Sequence, residues 1–100
     1  MHRPPAEPRR FDHYYREVHT PLVQHIPGVL NYRYGKVLRT AEGTAPSYYL
    51  VSDVYFDDLN ALEAALRSPE MAKAIEDVPN FASGGVTIMF CEYEDFPPRA

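Results

Sequence analysis

From Phe11 onward, apolar positions recur at Phe11, Tyr14, Tyr15, Val18 and Leu22, the spacing that lines one face of an α-helix. Asp12, Arg16, Glu17 and Gln24 fall on the opposite, solvated face. Pro21, and then the pair Pro27-Gly28, are expected to stop this helix. The rhythm then changes. Residues 29–38 (VLNYRYGKVL) and 47–56 (SYYLVSDVYF) are rich in branched and aromatic side chains and predict two strands, with Gly35 a candidate bulge and residues 40–46 a loop. In the second strand both parities are largely apolar. Tyr48, Leu50, Ser52, Val54 and Phe56 form one, and Tyr49, Val51, Asp53 and Tyr55 the other. Both faces of the sheet are therefore expected to be covered, one by helices and one by the sheet of a second subunit.

Asp57 and Asp58 offer N-caps to a helix whose stripe is Leu59, Leu62, Ala65 and Leu66. Ser68-Pro69-Glu70 reads as a cap, a proline at the first helical position and an acid at the positive helix end, so a new helix begins there. Its stripe is Met71, Ile75 and Val78, and Pro79 ends it. Gly84-Gly85 permits a tight entry into a last strand over residues 86–93 (VTIMFCEY). Three prolines and three arginines without periodicity make residues 1–10 an arm, residues 11–95 the domain, and residues 96–100 a tail. The element order is α-β-β-α(α)-β. It is the ferredoxin-like α+β pattern, an antiparallel sheet with helices on one face, without its first strand.

Composition narrows the class. One hundred residues make one domain whose burial alone leaves stability marginal, and thirteen Tyr and Phe provide surface for self-association. A net charge of −4 and a pI near 5.5 argue against a nucleic-acid partner. No apolar run approaches the roughly 18–20 residues that span a bilayer, and the basic start MHRPPAEPRR lacks the apolar stretch of a secretory signal. A single cysteine, Cys91, excludes an internal disulfide and fits a reducing cytoplasm.

Few residues lack a packing role. His19 lies beside Val18 and four residues after Tyr15, at the border of the buried stripe. Its ordinary pKa of about 6.5 suits proton transfer. It reads either as a catalytic base facing a cleft between helix and sheet, or as a histidine that bonds a free carbonyl near a helix end. Asp53, a lone acid in a strand of Tyr, Val and Leu, reads either as a buried carboxylate partnered by His19, Arg33 or a tyrosine hydroxyl, or as a structural salt bridge or an exposed acid on an edge. Tyr15, Tyr32, Tyr49 and Phe81 either line an aromatic pocket or form ordinary core and interface. Gly84 and Gly85 serve a turn, or offer amides to a ligand oxygen. No metal is expected: His13, His19 and His25 are six residues apart, so on a helix successive rings point about 240° apart. No Gly-rich phosphate loop seats a nucleotide cofactor. Cys91 is expected to be a small buried hydrophobe.

Read together, Phe11, Tyr14-Tyr15, His19 with Pro21-Leu22, Pro27-Gly28, Tyr32, Tyr49-Leu50-Val51 with Asp53, Phe56-Asp57-Asp58, Ala65 to Glu70, and Asn80 to Val86 resemble the EthD family of the dimeric α+β barrel group. The resemblance covers roughly residues 4–93 and lies in the order and spacing of the pieces together. It implies a homodimer with two sheets face to face and helices outside. It also implies a cleft between sheet and helices that holds a hydrophobic or aromatic, often polyketide-like, small molecule. Relatives of this kind are commonly labelled oxidoreductases, and related barrels include cofactor-free monooxygenases, cyclases and isomerases. The resemblance further implies a central strand ahead of His2-Arg3-Pro4, which proline-rich sequence cannot supply. The favoured expectation is that the natural start lies upstream; otherwise another segment satisfies two open edges. Three functions follow as expectations. One is a cytoplasmic, cofactor-independent enzyme of catabolism or secondary metabolism, with His19 moving a proton, Asp53 orienting it, and Tyr15, Tyr32 and Phe81 holding the ligand. Another is a non-catalytic binding or accessory dimer of a degradation pathway. The third is a dimer that is itself the product, with a vestigial pocket.

Overall fold

The computed structural model describes residues 1–99 of the chain. Its elements are α1 (Pro8–Tyr14), a π-turn (Tyr15–His19), α2 (Thr20–Gln24), β1 (Asn31–Lys36), β2 (Leu50–Tyr55), α3 (Leu59–Leu66), α4 (Pro69–Asp77) and a closing 3-10 turn (Val78–Asn80). The first helix does not stop at Pro21. That proline has no N–H for the Glu17 carbonyl and its ring crowds the preceding turn. The helix widens instead of ending, and the Thr20 N–H donates to the carbonyl of Tyr15, five residues back. The extra residue in this turn changes which side chains face inward. Val18, expected in the buried stripe, is 43% exposed, whereas His19 is 6% exposed.

Asp58 and Ser68 accept from the backbone N–H of Ala61 and Met71, which fixes the starts of α3 and α4. The buried face of α4 runs through Ala74 to Asp77 and leaves Ile75, an expected core residue, half-exposed. β1 and β2 pair antiparallel with Tyr32 opposite Val54 and Tyr34 opposite Ser52. The face carrying Tyr32, Tyr34, Leu50 and Ser52 packs against the first helix. One core cluster there holds Phe11, Tyr15, Leu50 and Phe81; a second holds Val23, Ile26, Ala65 and Ala74. Tyr32 touches both. The other face, with Val51, Asp53 and Tyr55, stays partly open, so both-sided cover of the sheet is not present within one chain.

Two expectations fail together at the chain ends. Residues 1–3 are not a free arm. His2 bridges to both Leu50 and Val86 in antiparallel fashion, Arg3 N–H donates to Gly85 O, and Thr87 N–H donates to Met1 O. The last strand, expected over residues 86–93, is reduced to the bridge at Val86, because only these three residues lie alongside to pair with it. Ile88, Met89, Phe90 and Tyr93 are consequently exposed, as is Cys91, which was expected to be buried. The radius of gyration, 15.0 Å, exceeds the roughly 13 Å of a compact chain of this length, in keeping with a C-terminal segment that stands off the core. Of the expected tail, Ala100 lies outside the described residues.

Gly84 and Gly85 permit this arrangement. A Cβ on Gly84 would lie 2.3 Å from the Pro4 carbonyl oxygen, and Gly85 has a φ of +93°. Gly84→Ala is therefore expected to cost about 1–3 kcal/mol by forcing residues 3–4 away. At Gly35 a Cβ meets nothing within 4 Å, so Gly35→Ala should change stability by less than about 0.5 kcal/mol. Urea unfolding of both variants checks the contrast.

Candidate functional site

The π-turn sets Tyr15 and His19 side by side on the buried side of the helix, with ring centroids 5.1 Å apart and the planes tilted by 44°. His19 Nδ1 lies 2.9 Å from Asp77 Oδ2. Asp77 is the last residue of α4, where the negative end of the helix dipole disfavours a carboxylate. Donors offset that: Tyr14 Oη donates at 2.5 Å and Asn80 Nδ2 at 3.2 Å, both to Oδ1. Burial pushes the Asp77 carboxyl up, but the bonds from Tyr14, His19 and Asn80 together hold it below the usual aspartate value. His19 is also lowered, because burial of the imidazole outweighs the attraction of Asp77. At neutral pH the pair is thus an ionised carboxylate and a neutral imidazole. The acceptor at Nδ1 assigns the proton to that nitrogen and leaves the Nε2 lone pair as a base.

Around this pair the rings close in. Phe81 lies 4.7 Å from His19 and 5.5 Å from Tyr15. Tyr32 Oη donates to Tyr15 Oη at 2.8 Å, and Tyr15 Oη is 2.5 Å from Ser52 Oγ. Burial raises the pKa of both phenols, so both stay protonated at neutral pH. The opposite end of the cluster is His2, whose ring packs within 5.4–5.6 Å of Phe11, Tyr15 and Phe81. Its Nδ1 is buried without a hydrogen-bond partner among the described residues. Its pKa is lowered to about 4, mainly by burial and then by the charges of the N-terminus and His19.

The structure thus brings Tyr15, Tyr32 and Phe81 to His19, but not Asp53. β2 alternates its side chains, so Asp53 faces away from the helix and sits 3.7 Å from Arg33 Nε. The carboxylate that meets His19 is Asp77. One signal could have found it: an acid at a helix C-terminus, against the dipole, needs donors. Tyr49 is also apart, packed edge-on to Phe11 with its hydroxyl donating to Asp12. Gly84 and Gly85 are occupied by the backbone of residues 3–4 rather than turned toward His19. The expected hollow beneath the helix is filled by these rings. Two shallow, open depressions lie elsewhere, one at Glu7–Arg10 and one of about 350 Å³ on the open sheet face near Arg33 and Asp53. No group of three or more acidic, His or Cys side chains that could hold a metal occurs among the described residues. No described helix is long and apolar enough to cross a membrane.

An α+β domain with helices on one sheet face and a buried His–Asp pair under the first helix defines the class. Residues 3–85 match the EthD domain, and the chain belongs to the EthD family. It is 43% identical over 94 residues, 94% of this chain and 90% of the relative, to an uncharacterized 11.0 kDa protein in the thcB-thcC intergenic region of Rhodococcus erythropolis. It is also similar to the crystal structure of an ethyl tert-butyl ether (EthD) family protein from Bacillus halodurans. There the TM-score is 0.86 at 28% identity, over 93% of this chain and 92% of the other. The fold is therefore that of the family, the dimeric α+β barrel type.

Two titrations follow. His2 binds its proton more weakly when folded, so stability is full above pH 6.5 and falls as the pH drops toward about 4. The loss is on the order of 3 kcal/mol, and His2→Leu should remove that part of the slope in urea unfolding at stepped pH. Asp77→Asn deletes the influence that raises His19, so the His19 imidazole should titrate at still lower pH by NMR.

Proposed function

We propose that this chain is an EthD-type small-molecule enzyme in which His19, oriented by Asp77, exchanges a proton with a hydrophobic, oxygenated compound. The single observation that carries the reading is the buried His19–Asp77 contact at 2.9 Å, with Tyr14 and Asn80 holding the carboxylate. Asp77 keeps the Nδ1 tautomer and stabilises the imidazolium that forms when Nε2 takes a proton from the substrate. Phe81 is the gate, since its ring lies against the imidazole and must move for a ligand to reach Nε2. Tyr15 and Tyr32 then hold the ligand, apolar along their rings and polar at their linked hydroxyls. The reaction class is enolisation, followed by rearrangement, cyclisation or reaction with oxygen, in catabolism or secondary metabolism. It calls for no organic cofactor or metal. The working form is a cytoplasmic homodimer. The family match and the similarity to the thcB-thcC intergenic protein support this setting.

A second reading is a non-catalytic ligand-binding or accessory protein of a degradation pathway. The ring-filled space beneath the helix favours the accessory role within this reading over ligand binding. Deuterium exchange at the acidic C–H of a 1,3-diketone in D₂O separates the two. The enzyme reading expects accelerated exchange that His19→Gln reduces by about 10²–10⁴-fold. A diketone that raises the melting temperature but exchanges no faster than in buffer supports the binding protein instead.

A further inference from the structure

We propose that Tyr15 is the acid partner of the His19 base. Its hydroxyl donates to the carbonyl oxygen of the bound compound, while Nε2 takes a proton from the carbon beside that carbonyl. Tyr32 and Ser52 act as positioning residues through their bonds to Tyr15. This role rests on the proton-exchange reading above, and it narrows the substrate class to ketones and 1,3-dicarbonyls with an acidic C–H.

The hydroxyls of Tyr32, Tyr15 and Ser52 form a short chain between the first helix and both strands. Tyr32 Oη donates to Tyr15 Oη at 2.8 Å, and Tyr15 Oη is 2.5 Å from Ser52 Oγ. Three protons serve two contacts, so one O–H points out of the chain. Without a ligand the phenol of Tyr15, a better donor than an aliphatic hydroxyl, gives its proton to Ser52. A carbonyl oxygen that is gaining negative charge is a stronger acceptor than Ser52. Tyr15 then turns its O–H to that oxygen, and the Ser52 hydroxyl rotates to donate to Tyr15 instead. The phenol oxygen now receives two bonds, one from Tyr32 and one from Ser52. Each lowers the pKa of Tyr15 against the larger rise caused by burial. The hydroxyl thereby becomes a stronger donor and still keeps its proton at neutral pH.

The position of the ring fits this role. Tyr15 and His19 are neighbours on the buried side of the π-turn, with ring centroids 5.1 Å apart, and Phe81 lies against both. One displacement of Phe81 therefore uncovers base and acid together. Tyr15 is only 2% exposed, and a hydrogen bond to a developing enolate is worth most where water is excluded. In the step, the C–H bond breaks and its proton passes to Nε2. The electron pair of that bond becomes the C=C bond, and the carbonyl π pair moves onto oxygen, where the Tyr15 O–H meets it. The reverse step returns a proton to carbon, so the exchange balances without a further reactant.

The test uses the full chain with benzoylacetone, an aromatic 1,3-diketone. Exchange of its central C–H in D₂O is followed by NMR. Its bound enolate is followed by ultraviolet absorption across pH, in protein whose base is removed by His19→Gln. Tyr15→Phe should slow exchange by about 10²–10³-fold with little change in KM, the loss expected for a donor that acts on developing charge. Tyr32→Phe and Ser52→Ala should each slow it by about two- to tenfold. The bound enolate should form at a pH at least about one unit lower than in buffer. Adding Tyr15→Phe should abolish that shift, a readout that packing alone does not move. If circular dichroism shows Tyr15→Phe unfolded, Tyr32→Phe and Ser52→Ala decide. The acid role is overturned when these variants exchange as fast as the parent and leave the enolate titration in place while His19→Gln is slow; the enzyme reading then stands. Exchange by the parent no faster than in buffer overturns the enzyme reading, and the acid role with it.

Discussion

Asp77 holds the architecture around the first helix in place. A carboxylate at a helix C-terminus, largely removed from water, survives there only because Tyr14, His19 and Asn80 all donate to it. Two of those donors come from the first helix and one from the turn after α4. The same oxygen atoms therefore dock α4 against the π-turn, fix the tautomer of the imidazole and place Phe81 over it. Structure and candidate chemistry rest on one ionised group. Removing it would loosen the helix packing and leave the histidine without an orienting partner.

The aromatic cluster works on the opposite principle. Phe11, Tyr15, Leu50 and Phe81 form an apolar wall, and two imidazoles are set into it with different partners. His19 is bonded and tuned by a carboxylate. His2 has only ring edges and faces around it, and burial drives its proton affinity down. The two rings meet the same Phe81 and Tyr15 from opposite ends, so protonation of either one is felt through a shared, poorly solvated environment.

Much of the architecture was legible in the residues. The caps at Asp58 and Ser68 are local chemistry, and the β1–β2 pair follows from the density of branched and aromatic side chains. The family was legible too, from the order of small motifs no one of which is specific. What was not legible depends on contacts between distant segments. A period of 3.6 residues, carried unchanged through Pro21, faces Val18 inward and leaves His19 at the margin; a widened turn reverses the two. Asp53, an acid among apolar residues, called for His19, Arg33 or a tyrosine hydroxyl as its partner, and Arg33 is the one beside it. Strand alternation puts it on the other face, and Asp77 was hidden in a helix end that reads as solvated. The last strand is present only as the bridge between His2 and Val86, and that pairing lies between residues far apart in the chain.

The π-turn has a consequence for how this helix tolerates length changes. Such a turn is an α-helix carrying one surplus residue. Deleting a residue between Tyr15 and His19 would restore an ordinary turn and leave everything downstream in phase, because the widened turn absorbs its surplus residue locally. Val23 and Ile26 would keep their mesh with α4, and Phe11 and Tyr15 theirs with the sheet. That tolerance is confined to this turn: a residue lost from the ordinary helix on either side would swing one core by about 100° against the other.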